Sequence, residues 1–247
     1  MTRGVHMARL RGLAEILTDS VFPRRCPVCG DIVRTPGSFI CADCVREIPF
    51  VRDPVCMKCG RTVSDPSEEL CRDCAGRAKS FEYGVALTDY DDLMQRVITD
   101  IKYRNRREYI RPFGRLFCLK RGEALRAMRA DCLVPVPVHP SRLKTRGFNQ
   151  AELLAEEISA GTGIPLRTDL LFRTGRTAAQ KELSPDERIR NLEGAFSAES
   201  LPGGIRRVIL VDDIYTTGST AETCTRILKA VGAEKVYIAV LSIVPEE

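Results

Sequence analysis

The 247-residue sequence has no apolar run near the roughly 20 residues that a membrane-spanning helix needs. Tryptophan is absent and aromatic residues make up only 6% of the chain, so few side chains are available to stack on planar ligands. The apolar stretch 13–22 near the basic N-terminus carries Glu15 and Asp19, which argues against a signal peptide. With 44% hydrophobic and 29% charged residues, the composition is that of a globular protein.

Cysteine, in contrast, is abundant and unevenly placed. The chain has 11 cysteines, an odd number that fits a secreted disulfide framework poorly, and eight of them lie within residues 26–74. Such a cluster indicates metal thiolates in a reducing compartment, so we expect a cytoplasmic protein. The remaining three lie in apolar surroundings and are predicted to be buried thiols. They are Cys118, Cys132 and Cys224.

The eight clustered cysteines form four Cys-x-x-Cys pairs, and 11 residues separate each pair from the next. Residues 26–30 (CPVCG) recur as residues 56–60 (CMKCG), a 30-residue period that indicates a tandem duplication. Each pair places two thiolates on one tight turn, and two pairs supply the tetrahedral set that zinc prefers. Because four thiolates leave no position for water, the predicted zinc ions are structural rather than catalytic.

Two zinc ions are therefore predicted. If the pairs are used in chain order, the ligands are Cys26, Cys29, Cys41 and Cys44 for the first ion and Cys56, Cys59, Cys71 and Cys74 for the second. A cross-braced arrangement, first pair with third and second with fourth, uses the same residues and stays open at this point. Iron–sulfur ligation is the weaker alternative, because those clusters use less regular spacing.

The pattern changes to alternating strands and helices after Gly76. Strands are predicted over 81–87, 132–138, 208–211 and 236–244. Helices are predicted over 89–102, 149–160 and 219–231, where apolar residues recur at helical spacing. This alternation predicts an α/β fold with a parallel sheet covered on both faces.

Two domains are expected from these patterns. Residues 1–78 would hold a short leading helix and a double zinc ribbon, and residues 79–247 would hold the α/β domain. The leading helix is amphipathic, and we expect it to pack on the protein itself rather than on a membrane.

The most specific stretch is 208–220, with the sequence VILVDDIYTTGST. A buried strand leads into two acidic residues and then into a Thr/Gly/Ser loop that opens a helix, which makes an anion site of backbone N–H groups and hydroxyls. The adjacent carboxylates of Asp212 and Asp213 suit vicinal hydroxyls or a hydrated magnesium ion. Together these groups describe a site for a ribose 5-phosphate, and an ordinary polar-capped turn is the less favoured interpretation.

This stretch resembles the phosphoribosyl pyrophosphate (PRPP) signature of type I phosphoribosyltransferases. The wider sequence resembles the ComF family of bacterial competence-related proteins, in which a double zinc ribbon precedes a phosphoribosyltransferase domain. Three further segments carry the resemblance: 101–108 (IKYRNRRE), 134–152 (VPVPVHPSRLKTRGFNQAE) and 176–196, the flexible-loop region. The resemblance implies a type I phosphoribosyltransferase-like sheet.

The resemblance also implies roles for individual residues. Asp212 and Asp213 would hold the ribose hydroxyls, Lys102 would contact PRPP, and Arg142 would lie near pyrophosphate. The segment 176–180 would close over the site. The 5-phosphate would be held by Thr216, Thr217, Gly218, Ser219 and Thr220.

Catalysis in that class resembles a displacement at the anomeric carbon through an oxocarbenium-like state. Magnesium bound with PRPP and basic residues stabilise the departing pyrophosphate, and water is excluded. Asp212, Asp213 and Arg142 are the expected catalytic set. The basic candidates are Lys102, Arg104, Arg142, Lys144 and Arg146.

A nucleic-acid partner is a further hypothesis. Eight Lys or Arg residues lie within 102–121 against one acid, Glu108, and on one face they would form a positive track for single-stranded DNA. Tyr103 and Phe148 are the candidate stacking groups. The alternative is a solvated basic face, or arginines that serve only the PRPP phosphates.

The leading functional hypothesis is a ComF-like protein that binds PRPP or ribose 5-phosphate and acts in DNA uptake or handling, with competence or DNA-processing proteins as partners. One alternative is a metabolic phosphoribosyltransferase for a small base or amine, which the lack of a recognisable acceptor-binding hood disfavours. Another is a non-enzymatic regulator that senses PRPP and binds nucleic acid through the ribbons.

Overall fold

The computed structural model describes residues 23–35, 37–174 and 194–246. The chain divides into two compact units between Ile48 and Pro49. This division falls inside the predicted 1–78 segment, so the second four-cysteine set lies in the same compact unit as the sheet. The predicted leading helix and the predicted closing loop at 176–180 lie outside the described residues.

Both four-cysteine sets have the same local structure. The amide N–H of Gly30 donates to the carbonyl of Cys26 at 2.8 Å, and that of Gly60 donates to Cys56 at 2.9 Å. A short helix carries the last cysteine of each set: α1 (Ala42–Glu47) in the first and α2 (Arg72–Gly76) in the second. The duplicated sequence therefore folds into duplicated turns, as the repeat predicts.

The sulfur atoms identify the ligand sets. The pairs are used in chain order rather than cross-braced, because the four Sγ atoms of each predicted set lie within 4.8 Å of one another. Tetrahedral ligands about 2.3 Å from zinc lie about 3.8 Å apart. The Cys29–Cys41 and Cys59–Cys71 Sγ distances are 3.9 and 3.7 Å. Both sets fit structural zinc ions.

The second unit is built on a parallel sheet. The strands of the described residues are β1 (Gly84–Asp89), β2 (Cys132–Pro135), β3 (Leu171–Arg173), β4 (Phe196–Ala198), β5 (Arg207–Tyr215) and β6 (Lys235–Ile243). Four of them form the sheet in the order β1-β6-β5-β2, with all pairs parallel, while β3 and β4 form an antiparallel pair. The predicted α/β fold with a parallel sheet is confirmed.

Helices follow most of the strands. They are α3 (Asp92–Tyr103), α4 (Ile110–Ala127), α5 (Pro140–Arg146), α6 (Gln150–Thr162) and α7 (Ser219–Ala230), with a 3₁₀ turn at Arg107–Tyr109. Helix α4 was not predicted, because its many basic residues hide the apolar stripe. That stripe is nonetheless buried, at Ile110, Phe113, Phe117 and Leu125. No helix within the described ranges is long and apolar enough to cross a membrane.

Helices α4 and α6 approach each other closely at two glycines. A Cβ atom on Gly114 would lie 2.4 Å from the Cβ of Glu157, and one on Gly161 would lie 2.5 Å from the Sγ of Cys118. Any larger residue would push the helices apart. Cys132 and Cys224 are buried, as predicted, whereas Cys118, also predicted to be buried, is only half-buried in this contact.

Native mass spectrometry is expected to show two zinc ions per chain. Cys59→Ser should reduce the content to one ion, because three thiolates with a hydroxyl bind zinc far more weakly than four thiolates. A content of one or no zinc in the unmodified protein would refute the two-site assignment.

The two repeated glycines allow a matched comparison. Gly30 and Gly60 both have a φ of 78°, but a Cβ on Gly60 would lie 2.6 Å from the carbonyl oxygen of Gly84, whereas nothing lies within 4 Å of one on Gly30. Gly60→Ala should therefore destabilise the sheet unit by about 1–3 kcal/mol through overpacking, in addition to backbone strain. Thermal unfolding followed by circular dichroism measures the difference. Equal midpoints for Gly60→Ala and Gly30→Ala would contradict the close packing of Gly60 on β1.

Candidate functional site

The candidate site lies at the carboxyl end of β5, one of the two inner strands of the sheet. The strand runs to Tyr215, which pairs with Ile243 of β6, and α7 begins at Ser219. The predicted strand, 208–211, ended before Asp212 and Asp213. In the structure both aspartates lie within β5. Parallel sheets bind ligands at this end of their strands.

The loop between β5 and α7 requires a glycine at its last position. Gly218 has a φ of 74°, and a Cβ there would lie 2.1 Å from the Tyr215 hydroxyl oxygen. Tyr215 is itself buried, at 4% exposure, so it cannot easily move aside. The glycine of the motif is thus explained by both backbone conformation and packing.

This loop presents unsatisfied hydrogen-bond donors. Among the described residues, the amide N–H groups of residues 217–220 have no backbone acceptor. The hydroxyl oxygens of Thr217 and Ser219 lie 2.9 Å apart, and a cavity of about 70 Å³ is lined by the loop and by Asp212. Free N–H groups at the start of a 12-residue helix, with hydroxyls beside them, form an anion site.

The carboxylates of the motif contact different groups. Asp213, only 7% exposed, forms an ion pair with the Lys102 ammonium and accepts a hydrogen bond from Gln150 Nε2 at 3.3 Å. Asp212 accepts the backbone N–H of Asp213 at 2.8 Å. Lys102 lies in the last turn of α3 and Gln150 begins α6, so two helices bring their side chains to the strand.

Burial and proximity make the two aspartates unequal. Burial raises the pKa of Asp212 well above its ordinary value, and the neighbouring Asp213 carboxylate raises it further. Burial also opposes ionisation of Asp213, but the Lys102 ammonium and the hydrogen bonds from Asp212 and Gln150 together outweigh this effect and lower the pKa of Asp213. The ligand-free site therefore favours one negative charge, on Asp213, and ionised Asp212 lacks compensation.

A larger cavity of about 370 Å³ lies beside Lys102. Its lining contains three cationic side chains and no carboxylate. The lining residues are Lys102, Tyr103, Asn105, Ser141, Arg142, Thr145 and Arg146. Such a lining suits an anion with several negative oxygens.

Arg146 connects this cavity with the aspartate pair. Its Nε donates to the carbonyl oxygen of Lys102 at 2.9 Å, and its Nη1 donates to Gln150. The other two predicted basic candidates lie outside the lining. Arg104 pairs with Asp100 at 3.0 Å, and Lys144 is exposed.

The predicted positive track over residues 102–121 does not lie on one face. Arg121 points into the fold, where it donates to the carbonyl oxygens of Val51 at 2.7 Å and Ala86 at 3.1 Å. Of the two proposed stacking groups, Phe148 is only 7% exposed and cannot contact a base, so that assignment was wrong. Tyr103, at 73% exposure, is accessible.

Three residues that contact this site were not predicted from the sequence. Gln150 contacts Asp213, while Arg61 and Lys79 donate to the carbonyl oxygens of Thr216 and Thr217. Gln150 follows a helix-capping Asn149, a signal for its position but not for its contact. Arg61 is 155 residues from Thr216 in sequence, so no local pattern connects them.

Comparison with known proteins supports this architecture. Residues 17–75 match the double zinc ribbon domain family, and residues 144–246 match the phosphoribosyl transferase domain family. The second match includes β5, the loop and α7.

Three relatives are similar to this chain over 56–64% of its length. Competence protein F of Haemophilus influenzae is 32% identical over 164 residues, 64% of this chain and 72% of that protein. The DNA utilization protein YhgH of Escherichia coli is 35% identical over 160 residues, 62% of this chain and 69% of that protein. Competence protein ComFC of Bacillus subtilis is 30% identical over 139 residues, 56% of this chain and 55% of that protein. With two four-cysteine sites and a phosphoribosyltransferase-like sheet, the chain belongs to the ComF family of competence proteins.

Proposed function

We propose that this protein binds PRPP or ribose 5-phosphate together with Mg²⁺ and acts in the uptake or handling of DNA. The observation that carries the ligand assignment is the pairing, at one end of β5, of two carboxylates with a loop of free N–H groups. The carboxylates can accept hydrogen bonds from ribose hydroxyls, and the N–H groups of the loop can bind a phosphate.

The phosphate part of the proposal rests on the loop. Residues 217–220 offer backbone N–H groups, and the Thr217 and Ser219 hydroxyls lie beside them. The N-terminal end of α7 adds a favourable dipole. Thr216, Thr217, Gly218, Ser219 and Thr220 are the proposed 5-phosphate residues.

The ribose part rests on the aspartates. An ionised Asp212 is unfavourable without a ligand, and hydroxyl donors or a cation would remove that cost. Carboxylate oxygens are also the ligands that Mg²⁺ prefers, so Asp212 and Asp213 fit a site for the ion carried with PRPP. When bound, Mg²⁺ would neutralise charge on the pyrophosphate oxygens.

The pyrophosphate part is assigned to the 370 Å³ cavity. Arg142 and Lys102 would hold the pyrophosphate oxygens there, and Arg142 would stabilise negative charge that develops as pyrophosphate departs. These positions support the proposed catalytic set of Asp212, Asp213 and Arg142. A phosphoribosyl transfer is accordingly the reaction class that this arrangement favours.

The DNA part of the proposal rests on the relatives, two of which are named for competence and one for DNA utilization. Single-stranded DNA is the proposed nucleic-acid ligand, with the exposed ring of Tyr103 and the cations beside it as the contact. A cytoplasmic location is proposed with it, since the eight clustered cysteines are expected to stay reduced there.

Calorimetric titration tests the ligand assignment. PRPP and ribose 5-phosphate with Mg²⁺ should bind in the micromolar range. The double variant Asp212→Asn, Asp213→Asn should weaken both at least tenfold, about 1.4 kcal/mol, because the ribose loses its charged acceptors. Glu123→Gln, an exposed change on α4, is the control that should bind normally. Unchanged affinity in the double variant would refute the ribose assignment.

The single Asn variants should change stability in opposite directions. At pH 7, Asp212→Asn should raise the thermal midpoint of the ligand-free protein by several degrees, because folding requires Asp212, which is ionised in the unfolded chain, either to take up a proton or to keep its charge in a buried position. The folded pKa of Asp212 is raised above the unfolded value of about 3.9. The gain should therefore disappear as the pH falls toward about 4.

Asp213→Asn should instead lower the midpoint, since it leaves the Lys102 ammonium partly buried without its partner, at a cost of about 3 kcal/mol. The folded pKa of Asp213 is lowered, so its stabilisation is present above the unfolded pKa and is lost as the pH falls through the folded value. Differential scanning calorimetry between pH 4 and 8 measures both variants. Shifts of the same sign would contradict the unequal roles of the pair.

A further inference from the structure

The second zinc ribbon contacts the phosphate-binding loop directly. Arg61, two residues after the ligand Cys59, donates from Nη2 to the carbonyl oxygen of Thr216 at 2.8 Å. Lys79, just beyond the ribbon, donates from Nζ to the carbonyl oxygen of Thr217 at 3.1 Å. Two cations thus hold the carbonyls of two consecutive peptide groups in the loop.

Holding these carbonyls also orients the loop's donors. In a planar trans peptide group the C=O and N–H bonds point in opposite directions. With the oxygens of Thr216 and Thr217 held toward Arg61 and Lys79, the N–H groups of Thr217 and Gly218 point the other way. Both are among the donors that have no backbone acceptor in the described chain. Successive N–H groups aimed to one side form an anion-binding concavity.

Arg61 is itself held rigidly. It is only 4% exposed, and its Nη1 donates to Oδ2 of Asp73 at 3.2 Å. Asp73 lies between the zinc ligands Cys71 and Cys74, so the zinc site fixes the position of the carboxylate that fixes Arg61. The Nε of Arg61 has no hydrogen-bond partner among the described residues. A buried guanidinium that is only partly satisfied costs stability, so packing alone does not account for it.

Arg61 has no counterpart of the same type in the first repeat. The 30-residue period places Asp31 at the position of Arg61 and Asp43 at the position of Asp73. The aspartate is present in both repeats, but the arginine is present only in the second. Asp31 is exposed, whereas Arg61 is buried against the loop. The second repeat therefore differs from the first at the residue that reaches the loop.

The segment after the ribbon also holds the helix that follows the loop. The backbone N–H and hydroxyl of Ser80 donate to the two carboxylate oxygens of Glu222 at 2.7 and 2.6 Å. Glu222 lies in the first turns of α7 and is 2% exposed. Both ends of the anion site, the loop carbonyls and the helix start, are therefore fixed by residues 61–80.

We propose that Arg61, with Lys79, is a positioning residue that orients the Thr216 and Thr217 peptide groups for phosphate binding. Through Arg61, the second zinc ribbon sets the phosphate affinity of the loop after β5, although none of the zinc ligands belongs to that loop. The assignment of the anion as a ribose 5-phosphate rests on the proposed function above, but the orientation of the peptide groups does not.

The test compares Arg61→Met with Arg46→Gln, a control on the first ribbon where Arg46 is 79% exposed. Methionine replaces the stem of the arginine side chain but has neither of the Nη donors. Arg61→Met should retain two zinc ions by native mass spectrometry, bind inorganic phosphate and ribose 5-phosphate at least tenfold more weakly, and shift the ¹⁵N resonance of the Thr217 amide, whose peptide group loses its carbonyl partner. Arg61→Lys should recover part of the affinity. Arg46→Gln should match the unmodified protein in all three measurements.

Unchanged phosphate affinity and an unchanged Thr217 amide resonance in Arg61→Met, with two zinc ions bound, would overturn the proposal. If Arg61→Met loses zinc or unfolds, Lys79→Gln decides, since Lys79 carries no contact with the zinc site in the described structure. That variant should weaken phosphate binding about threefold and shift the ¹⁵N resonance of the Gly218 amide, and unchanged values would overturn the proposal. If the unmodified protein binds neither phosphate ligand, the proposed function fails, while the amide resonances of the ligand-free protein still decide the role of Arg61.

Discussion

The parallel pairing of β5 with its two neighbours is the constraint on which the rest of the structure depends. β5 lies between β6 and β2, so its apolar residues 208–211 are buried on both faces and at both edges. Apart from Arg207 at its start, the strand carries charged side chains only near its end, where the buried sheet ends. The polar groups of Asp212 and Asp213 must therefore be compensated by residues that the surrounding helices bring to this position.

The negative charge of Asp213 is compensated in this way, but that of Asp212 is not. Lys102 and Gln150 contact Asp213, but burial and the neighbouring Asp213 carboxylate raise the pKa of Asp212, so a second negative charge is disfavoured in the ligand-free protein. A sheet selected only for stability would place an apolar or amide side chain there. The carboxylate is best explained by a ligand that supplies hydrogen-bond donors or positive charge. The carboxylate of Asp212 thus lowers the stability of the ligand-free protein and is also the group proposed to contact the ribose.

The duplication of the zinc-binding repeat has produced two sites with different surroundings. In the first set Cys29 is exposed, whereas all four cysteines of the second set are buried. The second set is buried because Gly60 packs on Gly84 at the start of β1 and because Arg61 reaches the loop after β5. The repeat kept its ligands in both copies, since zinc requires them, and diverged at the positions between and after them.

Much of this architecture follows from local patterns in the sequence. The four Cys-x-x-Cys pairs predict the two metal sites, and the apolar run before Asp212 predicts β5 with its loop and α7. Contacts between distant segments could not be predicted in this way, because nothing in the neighbourhood of Arg61 or Gln150 indicates their partners. Helix α4 was missed because its exposed Lys and Arg residues dominate the composition. Phe148 was misplaced because an aromatic residue in a basic segment can equally well be part of the core.

Lys102 is the residue that relates the two halves of the proposed ligand site. Its ammonium pairs with Asp213, and its side chain also lines the cavity assigned to pyrophosphate. A polyanion entering that cavity would compete with Asp213 for the same positive charge. As the ammonium turned toward the anion, Asp213 would lose its main compensation and would need a hydroxyl donor or a cation in its place. Occupation of the pyrophosphate side thus favours occupation of the ribose side, which is the behaviour expected of a site for one ligand that spans both.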